Sequence, residues 1–373
     1  MHELKINILI IDDDILLLRA LTRTLNRLCP NTQITCIANA AEFEPLISKG
    51  FAPHIIFCDS MMKLPSGQYV LRRAKDISPL ALRCLLTGDL SSNYQLQINN
   101  AIHFHLIKPF KEIHLISVLE SVKLLNELPI STAHKTILGQ LKELPFLGET
   151  TQNLIRELNK EEPNVNLLEQ YIIHDPVLTG KVLQMANSAF MGFDNHTSNL
   201  KEAIVRIGLN NLKAIAVFLE LSQQLNNKAK TKDISHLINK GYKKGELAQS
   251  LAKYLKQDRQ TQLFAFAVGL LSVIGELTIV CNEQEIDPKK VPEFSLSAYL
   301  LALWGFEKIV VRAQLIDKVP TEKTLSLTVL HIIVEHIVTD EALNYSLEEY
   351  DFVDEIGIRE DVESWFLANK ASN

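Results

Sequence analysis

The chain has 373 residues, 47% of them hydrophobic and 22% charged, a composition typical of a folded protein with two or three domains rather than of a disordered chain. With 38 basic and 44 acidic residues the formal net charge is −6, and no run of Lys or Arg is present, so the sequence argues against a nucleic-acid binder. Only 14 glycines occur, which disfavours a turn-rich all-β architecture.

Neither export nor disulfide bonding is indicated. The first residues, "MHELKINILIIDDD", lack a basic segment followed by a cleavable apolar stretch. The longest apolar stretch, residues 263–275, is shorter than the about 20 residues that a membrane span needs. Five cysteines, an odd number without CxxC spacing, predict free buried thiols rather than disulfides or a zinc site. We therefore expect a cytoplasmic protein without membrane insertion.

The first third of the chain alternates short apolar runs with amphipathic stretches. Strands are predicted for residues 6–11, 34–38, 54–58, 82–86 and 104–107. Helices are predicted for residues 15–28, 40–50, 67–76, 91–101 and 112–125, where apolar residues recur near the helical period. This alternation predicts a five-stranded parallel sheet with helices on both faces.

The rest of the chain predicts helices almost throughout. Strand signals nearly vanish after a boundary near residues 126–140. We therefore divide the chain into an α/β domain (1–125), a connector (126–139) and an all-α domain (140–373). The acidic end, residues 348–366, is predicted to be helical with its apolar residues packed back, and a partner-binding tail is the alternative.

Polar side chains stand where the predicted strands end. They are Asp12, Asp13 and Asp14 after the first strand, Asp59 after the third, Thr87 after the fourth and Lys108 after the fifth. The carboxyl ends of parallel strands lie along one edge of a sheet, so these groups should converge. Clustered carboxylates repel unless a lysine or a divalent cation neutralises them, and all-oxygen ligation suits Mg²⁺. Asp59 would then be the nucleophile toward a phosphoryl group, and Lys108 would pair with a phosphoryl oxygen.

Four fragments in register at the strand ends carry a family resemblance. They are "ILIIDDD", "IIFCDSMMKLPSG", "CLLTGD" and "FHLIKPF". With them, residues 5 to about 125 resemble the receiver domain of two-component response regulators, which has a flavodoxin-like fold. The resemblance implies that a histidine kinase or a phosphotransfer protein phosphorylates Asp59. It further implies a role for each remaining residue: Mg²⁺ held by Asp12, Asp13, Asp59 and the backbone carbonyl of Met61, a phosphoryl hydrogen bond from Thr87, and His105 in the switch position.

Three positions depart from the receiver pattern. Lys63 replaces the proline usual four residues after the acceptor, which bears on the shape of this loop and on the lifetime of the phosphoryl bond. His105 replaces Tyr or Phe, and a half-buried neutral ring is our preferred interpretation over a pH-dependent switch. Ser66 replaces the acid usual before Gly67, a minor change.

The helical part contains an adjacent His-Asp pair that resembles a metal-binding motif. Asp175, however, precedes Pro176 and an apolar helical pattern, so we expect it to be a helix N-cap rather than to bind a metal with His174. At the end of the same helix, Asn187 and Ser188 are expected to bond local backbone.

Residues 140 to about 370 resemble the HDOD domain, an all-α relative of the HD phosphohydrolases and of the HD-GYP cyclic-di-GMP phosphodiesterases. The segments "DPVLTGKVLQMANSAF" and "LKEAIVRIGLNNLK" carry most of this resemblance. In catalytic HD proteins the helix corresponding to "GLLSVIG" carries a metal-binding His-Asp pair, and here Ser272 and Val273 stand in its place. Because Ser and Val cannot replace an imidazole and a carboxylate in a divalent metal site, the resemblance implies a binding module that is not an enzyme.

Together these features predict a response regulator whose phosphorylation on Asp59 controls what its HDOD half binds. The expected downstream partner is another signalling protein, with cyclic-di-GMP enzymes and sensor kinases as candidates by family resemblance, and the sequence is compatible with a homodimer. One alternative is a divergent HD-GYP phosphodiesterase with a site rebuilt from other ligands. A second is a DNA-binding transcriptional regulator, which is disfavoured because no basic recognition helix is visible.

Overall fold

A computed structural model of the protein describes most of the chain. The described residues are 5–63, 65–88, 101–141, 147–188, 191, 193, 195–226, 231–281, 291–316, 324–338 and 351–370. The chain forms two compact units. The first contains Met1–Phe146 with Gln284–Val291 and Ala302–Gly305, and the second contains Leu147–Glu283, Pro292–Leu301 and Phe306–Asn373.

A five-stranded parallel sheet forms the centre of the first unit. Its strands are β1 (Ile6–Ile11), β2 (Thr32–Ile37), β3 (Ile55–Asp59), β4 (Leu82–Thr87) and β5 (Phe104–Ile107), in the spatial order β2-β1-β3-β4-β5. This is the flavodoxin-like order of a doubly wound sheet. β3 and β4 are buried along their whole length, because sheets covered by helices on both faces need near-continuous apolar strands. All five predicted strands are therefore present within two residues of their expected ends.

Helices cover this sheet. They are α1 (Ile15–Leu28), a 3-10 turn (Ala40–Glu42) leading into α2 (Phe43–Ser48), α3 (Gly67–Ile77), α4 (Glu112–Glu127) and α5 (Thr132–Gln140). Asp14 begins α1 by accepting hydrogen bonds from two backbone N–H groups, and Leu18, Leu21 and Leu25 bury its apolar face. Ser66 caps α3, so the serine that replaces an acid in this loop has a local structural role. The predicted helix 91–101 lies almost wholly outside the described residues.

Every regular element that the structure describes in the second unit is a helix, and one of them, Glu293–Leu303, has its last two residues in the first unit. These helices are α6 (Glu149–Leu158), α7 (Val165–Ile173), α8 (Pro176–Ala186), α9 (Leu200–Ile207), α10 (Leu209–Asn226), α11 (Thr231–Tyr254), α12 (Arg259–Leu271), α13 (Ile274–Cys281), α14 (Glu293–Leu303), α15 (Lys308–Ala313), α16 (Leu327–Val338), α17 (Asp351–Ile356) and α18 (Arg359–Lys370). α12 is the central helix, because it contacts α10, α11, α15 and α16 and is buried from Phe264 to Leu271.

The apolar stretch around α12 is a core element. By length and composition, Arg259–Val280 could cross a membrane, but most of it is buried inside the structure, as expected for the core helix of a folded domain. The acidic end of the chain forms α17 and α18, and its Val353, Val362 and Trp365 side chains are buried. The Trp365 indole N–H also donates to the Ser250 hydroxyl at 3.0 Å, so this end packs back as predicted.

The cysteines that the structure describes with their side chains are free thiols. Cys29, Cys58 and Cys84 are buried, in agreement with the sequence prediction. Cys36 is exposed, which the prediction of buried thiols did not anticipate. It lies on β2, and β2 is at the edge of the sheet, where side chains are only partly covered.

Candidate functional site

Two carboxylates and one ammonium meet at the carboxyl edge of the sheet. β1 and β3 pair with Ile11 beside Cys58, so the next residues, Asp12 and Asp59, leave the sheet side by side. The Lys108 ammonium, just after β5, donates to Asp12 Oδ2 at 2.8 Å and to Asp59 Oδ1 at 2.7 Å. Asp12 and Asp59 are 1% and 6% exposed, so this contact offsets part of the negative charge of two carboxylates that water barely reaches.

Backbone N–H groups occupy the other oxygens of the same carboxylates. Asp14 N–H donates to Asp12 Oδ1 at 2.9 Å, and Met61 N–H donates to Asp59 Oδ2 at 2.8 Å. Each buried carboxylate is thus held by one ammonium and one amide, which fixes the orientation of Asp59 before any reaction.

The lysine is held in its charged form. Burial acts to lower the pKa of Lys108, but its hydrogen bonds with Asp12 and Asp59 outweigh that effect and raise the pKa above its ordinary value. The side chain at this position is therefore an ammonium at neutral pH.

Gly67 sits where only a glycine fits. A Cβ built on Gly67 would lie 1.7 Å from the backbone carbonyl oxygen of Asp59, so any larger residue would push α3 away from the end of β3. This close approach explains the interval of eight residues between Asp59 and Gly67 that the sequence shares with receiver domains. The close approach of Gly67 to Asp59 is present although Lys63 stands in place of the usual proline, and the Lys63 side chain is exposed.

The other predicted site residues lie along the same sheet edge. Thr87 is the buried last residue of β4, and its carbonyl accepts a hydrogen bond from the Lys108 N–H at 2.7 Å. His105 lies on β5 beside Leu85 and is half-buried. The structure gives both residues the positions that the sequence predicts, and their roles stay predictions.

The two remaining predicted metal ligands are exposed. Asp13 lies at the surface beside Asp12, and the Met61 side chain is 70% exposed while its N–H faces Asp59. Within the described ranges, no three His, Cys, Asp or Glu side chains lie close enough together to hold a metal ion. The donor set is nonetheless all oxygen, as Mg²⁺ requires, so the residues present fit this ion in chemistry.

The His-Asp pair of the helical unit is a helix cap. Asp175 Oδ1 accepts hydrogen bonds from Val177 N–H at 2.9 Å and Leu178 N–H at 3.0 Å, with Pro176 in the first turn of α8. The expectation of an N-cap is confirmed. At the other end of α8, the Ser188 hydroxyl donates to the Met185 carbonyl as expected.

Asn187 corrects the sequence prediction at this helix end. Its side-chain amide makes two hydrogen bonds with the backbone of Thr197, ten residues further on. Asn187 Oδ1 accepts from the Thr197 N–H at 2.7 Å, and Asn187 Nδ2 donates to the Thr197 carbonyl at 2.8 Å. A local bond was expected, but the chain returns past Asn187 and offers a matching donor and acceptor.

Ser272 and Val273 lie in a packed interior. Both are buried between α12 and α13. The Ser272 hydroxyl donates to the Gly269 carbonyl at 2.9 Å, and the Ser272 carbonyl accepts from the Ser297 hydroxyl at 3.0 Å. These contacts give Ser272 a structural role in joining α12 to α14.

Comparison with known proteins assigns the helical unit. Residues 144–291 match the model of the family described as HDOD domain. The helical unit carries an HDOD domain. Its fold is also that of an HDOD domain protein of unknown function from Geobacter sulfurreducens, which is 16% identical with a TM-score of 0.50, over 65% of this chain and 93% of that one.

The first unit has the receiver fold, as its sheet order indicates. Similar solved structures include the signal receiver domain of an HD domain-containing protein from Pseudomonas fluorescens, which is 21% identical with a TM-score of 0.30, over 32% of this chain and 94% of that one.

Curated relatives match only in part. The hydrogenase transcriptional regulatory protein HoxA of Bradyrhizobium diazoefficiens is 31% identical over 120 residues, which are 31% of this chain and 24% of that protein. The uncharacterized protein YuxH of Bacillus subtilis is 26% identical over 127 residues, 33% of this chain and 29% of that protein. The chain thus spans less than a third of the length of either relative.

The helical unit contains a buried ion network that the sequence analysis missed. Lys244 donates to both carboxylate oxygens of Glu335 at 2.5 and 2.6 Å, and His331 Nε2 lies 3.5 Å from the same carboxylate. Burial acts to raise the pKa of Glu335, but His331 and Lys244 lower it to about 2. On its other side, His331 Nδ1 lies 2.7 Å from the Ala313 carbonyl oxygen. Lys244 and Glu335 are 91 residues apart, so no local pattern could pair them.

Proposed function

We propose that this protein is a two-component response regulator in which Asp59 accepts a phosphoryl group and the HDOD domain controls a partner signalling protein. The observation that carries this proposal is the Lys108 ammonium bound to both Asp12 and Asp59 at the carboxyl edge of a receiver-type sheet. A receiver domain followed by an HDOD domain supports the same conclusion.

The donor would be the phosphohistidine of a sensor kinase or of a phosphotransfer protein. An Asp59 carboxylate oxygen attacks phosphorus, the new P–O bond forms as the P–N bond of the donor breaks, and the donor ring nitrogen keeps the electron pair. Ile15, Leu16 and Met61 are 48%, 74% and 70% exposed and neighbour the site in sequence. An apolar rim of this kind fits a protein donor better than a small anion.

Residues of this chain would act in turn on the phosphoryl group. Asp12, Asp13, Asp59 and the Met61 carbonyl are the oxygen donors that would hold Mg²⁺, which would neutralise charge on the phosphoryl oxygens. As the Asp59 carboxylate becomes an acyl phosphate, its own oxygens lose their charge, and Lys108 would be released from it to pair with a phosphoryl oxygen while still bound to Asp12. The Thr87 hydroxyl would bond a second oxygen, followed by movement of His105.

The output would be a change in binding. Ser272 and Val273, in the place of a metal-binding His-Asp pair, are buried and engaged in packing, which supports a domain without a reaction of its own. An enzyme of cyclic-di-GMP signalling is our candidate partner, and a cytoplasmic location and a homodimer fit this role.

Labelling with acetyl phosphate and Mg²⁺, read on a phosphate-affinity gel, tests the acceptor assignment. We expect a shifted band for the wild type, no shift for Asp59→Ala, and a normal shift for Asp76→Asn, which changes an exposed acid on α3. Equal labelling of the wild type and Asp59→Ala would show that Asp59 is not the acceptor.

A further inference from the structure

A buried arginine at the opposite end of the sheet binds the connector helix. Arg83 is the second residue of β4 and is fully buried, which is rare for this residue type. Its guanidinium donates to the carbonyls of Ala101 at 2.5 Å, Ala81 at 3.3 Å and Gly139 at 3.1 Å. Gly139 belongs to the last turn of α5, within the connector predicted from the sequence, and lies in the same compact unit as Arg83.

The contact uses the charge preference of a helix end. The last carbonyls of a helix have no partner inside it and carry partial negative charge, so a cation placed there is favourable. Since Arg83 offers several donors in a rigid fork, it holds the Gly139 carbonyl and the start of β4 together. Leaving a buried donor without an acceptor costs free energy, so Arg83 and the Gly139 carbonyl are expected to stay together when either of them moves.

A second contact holds the same turn of α5. A Cβ built on Gly139 would lie 1.9 Å from the Pro79 carbonyl oxygen and 2.8 Å from the Pro79 carbonyl carbon, so the two backbones touch here. Pro79 lies between α3 and β4. The end of the connector helix therefore rests on the amino end of β4 through two independent contacts.

The other end of β4 belongs to the candidate phosphorylation site. Thr87 ends β4, four residues and about 13 Å from Arg83 along the strand. The Leu86 carbonyl accepts from Ser60 N–H at 2.8 Å, directly after Asp59, and the Thr87 carbonyl accepts from Lys108 N–H at 2.7 Å. β4 thus touches the acceptor segment at one end and the connector at the other.

We propose that Arg83 couples the phosphorylation state of Asp59 to the connector, with β4 as the shared element. The inference rests on the proposed function, because it requires a phosphoryl group at Asp59. When Thr87 and Lys108 rearrange around that group, β4 adjusts in the sheet, and the Arg83–Gly139 bond and the Pro79–Gly139 contact move the end of α5 with it. Arg83 is a positioning residue for α5, the helix that follows the receiver domain in the chain and precedes the HDOD domain.

Hydrogen exchange with mass spectrometry on the full chain tests the coupling, with Mg²⁺ and beryllofluoride as the phosphate mimic. In the wild type we expect the mimic to change exchange at residues 59–61 and, by about fivefold, at residues 132–141. In Arg83→Met the change at residues 59–61 should remain while the change at 132–141 disappears. Arg23→Met, which removes an exposed arginine from α1, should behave as the wild type.

Gly139→Ala provides a second variant if Arg83→Met does not fold. It leaves Arg83 in place but forces the last turn of α5 off Pro79, so the response of residues 132–141 should again be lost. A connector response that survives in either folded variant overturns the coupling proposal. If the mimic changes exchange of the wild type at residues 59–61 but not at 132–141, the coupling proposal is overturned and the proposed function stands. If the mimic leaves exchange of the wild type unchanged at residues 59–61, both the proposed function and the coupling are overturned.

Discussion

At the scale of single residues, the functional edge of the receiver domain depends on one cation. Asp12 and Asp59 are buried, and Lys108 bonds both of them. The same charge that stabilises the resting protein is the one that would later bind a phosphoryl oxygen. Stability and chemistry at this edge are therefore coupled through Lys108.

Lys108→Met should destabilise the receiver domain and make it dependent on Mg²⁺. Removing the ammonium leaves two buried carboxylates facing each other, so we expect the free energy of unfolding to fall by about 2 kcal/mol. Since a bound cation could replace the lost charge, Mg²⁺ should restore part of this loss. Thermal unfolding with and without Mg²⁺ measures both effects, and Lys123→Met, an exposed lysine on α4, serves as control. A variant as stable as the wild type without Mg²⁺ would contradict this account.

Lys213 in the HDOD domain gives a pH prediction. It is buried, its ammonium lies 2.9 Å from Asn159 Oδ1 and 3.9 Å from Glu307 Oε1, and burial, opposed by Glu307, lowers its pKa from 10.5 to about 8. Between these two values the unfolded chain binds the proton and the folded chain does not, so the contribution of Lys213 to stability rises as pH increases from about 8 to 10.5.

Lys213→Met should remove that rise. The difference in unfolding free energy between wild type and variant should shift by about 3 kcal/mol in favour of the wild type across this pH range. Urea denaturation at a series of pH values measures it, and Lys243→Met, an exposed lysine on α11, should show a constant difference. If the difference for Lys213→Met is also constant across this pH range, the pKa of Lys213 is not lowered in the folded protein.

At the scale of elements, capping residues decide where the helices begin. Asp14, Ser66 and Asp175 each accept a backbone N–H in the first turn of the helix that follows. Two of these, Asp14 and Asp175, stand beside residues that suggest a metal site in the sequence. The structure assigns both to capping through their hydrogen bonds.

Asp175→Ala should cost about 1 kcal/mol of unfolding free energy, because α8 loses the acceptor for two N–H groups. Asp175→Ser should retain most of the stability, since a hydroxyl can also cap. His174→Ala should change the stability by no more than about 0.5 kcal/mol, because His174 is exposed. Urea denaturation of the full chain measures all three. A loss for His174→Ala equal to that for Asp175→Ala would instead support a shared role for the pair.

At the scale of the whole molecule, a receiver domain and an HDOD domain share one chain. The first unit provides the sheet edge where Asp12, Asp59 and Lys108 meet, and the helical unit provides buried helices joined by packing and by internal ion pairs such as Lys244–Glu335. The buried charges of Lys244 and Glu335 are thus matched within the helical unit.

The whole protein should not hydrolyse cyclic dinucleotides. Incubation of the purified chain with cyclic-di-GMP and Mn²⁺, followed by chromatography, should yield no product above the buffer control, both with and without acetyl phosphate. The reason is that Ser272 and Val273 do not supply the imidazole and carboxylate that hold the water-activating metal in catalytic HD proteins, and the Ser272 hydroxyl is bonded to the Gly269 carbonyl. Hydrolysis by the wild type would support the alternative of a divergent phosphodiesterase.

Much of this architecture could be predicted from the sequence, because it depends on local patterns. Apolar runs of strand length, spaced by amphipathic stretches, indicate the parallel sheet. Because the carboxyl ends of parallel strands share one edge, the sequence alone also predicts that Asp12, Asp59 and Lys108 lie close together. Pro176 after Asp175 likewise indicated a capped helix. Each of these inferences needs only neighbouring residues and a general rule of topology.

The tertiary structure alone decided which distant charges meet inside the protein. Arg83 with Gly139 and Lys244 with Glu335 are separated by 56 and 91 residues, and nothing near any of them in the sequence marks a partner. From the sequence alone, a charged residue is predicted to be exposed, and only the packing of helices and strands shows that it is buried. Once it is buried, the cost of removing a charge from water requires a specific acceptor, and only the folded chain determines which acceptor is within reach.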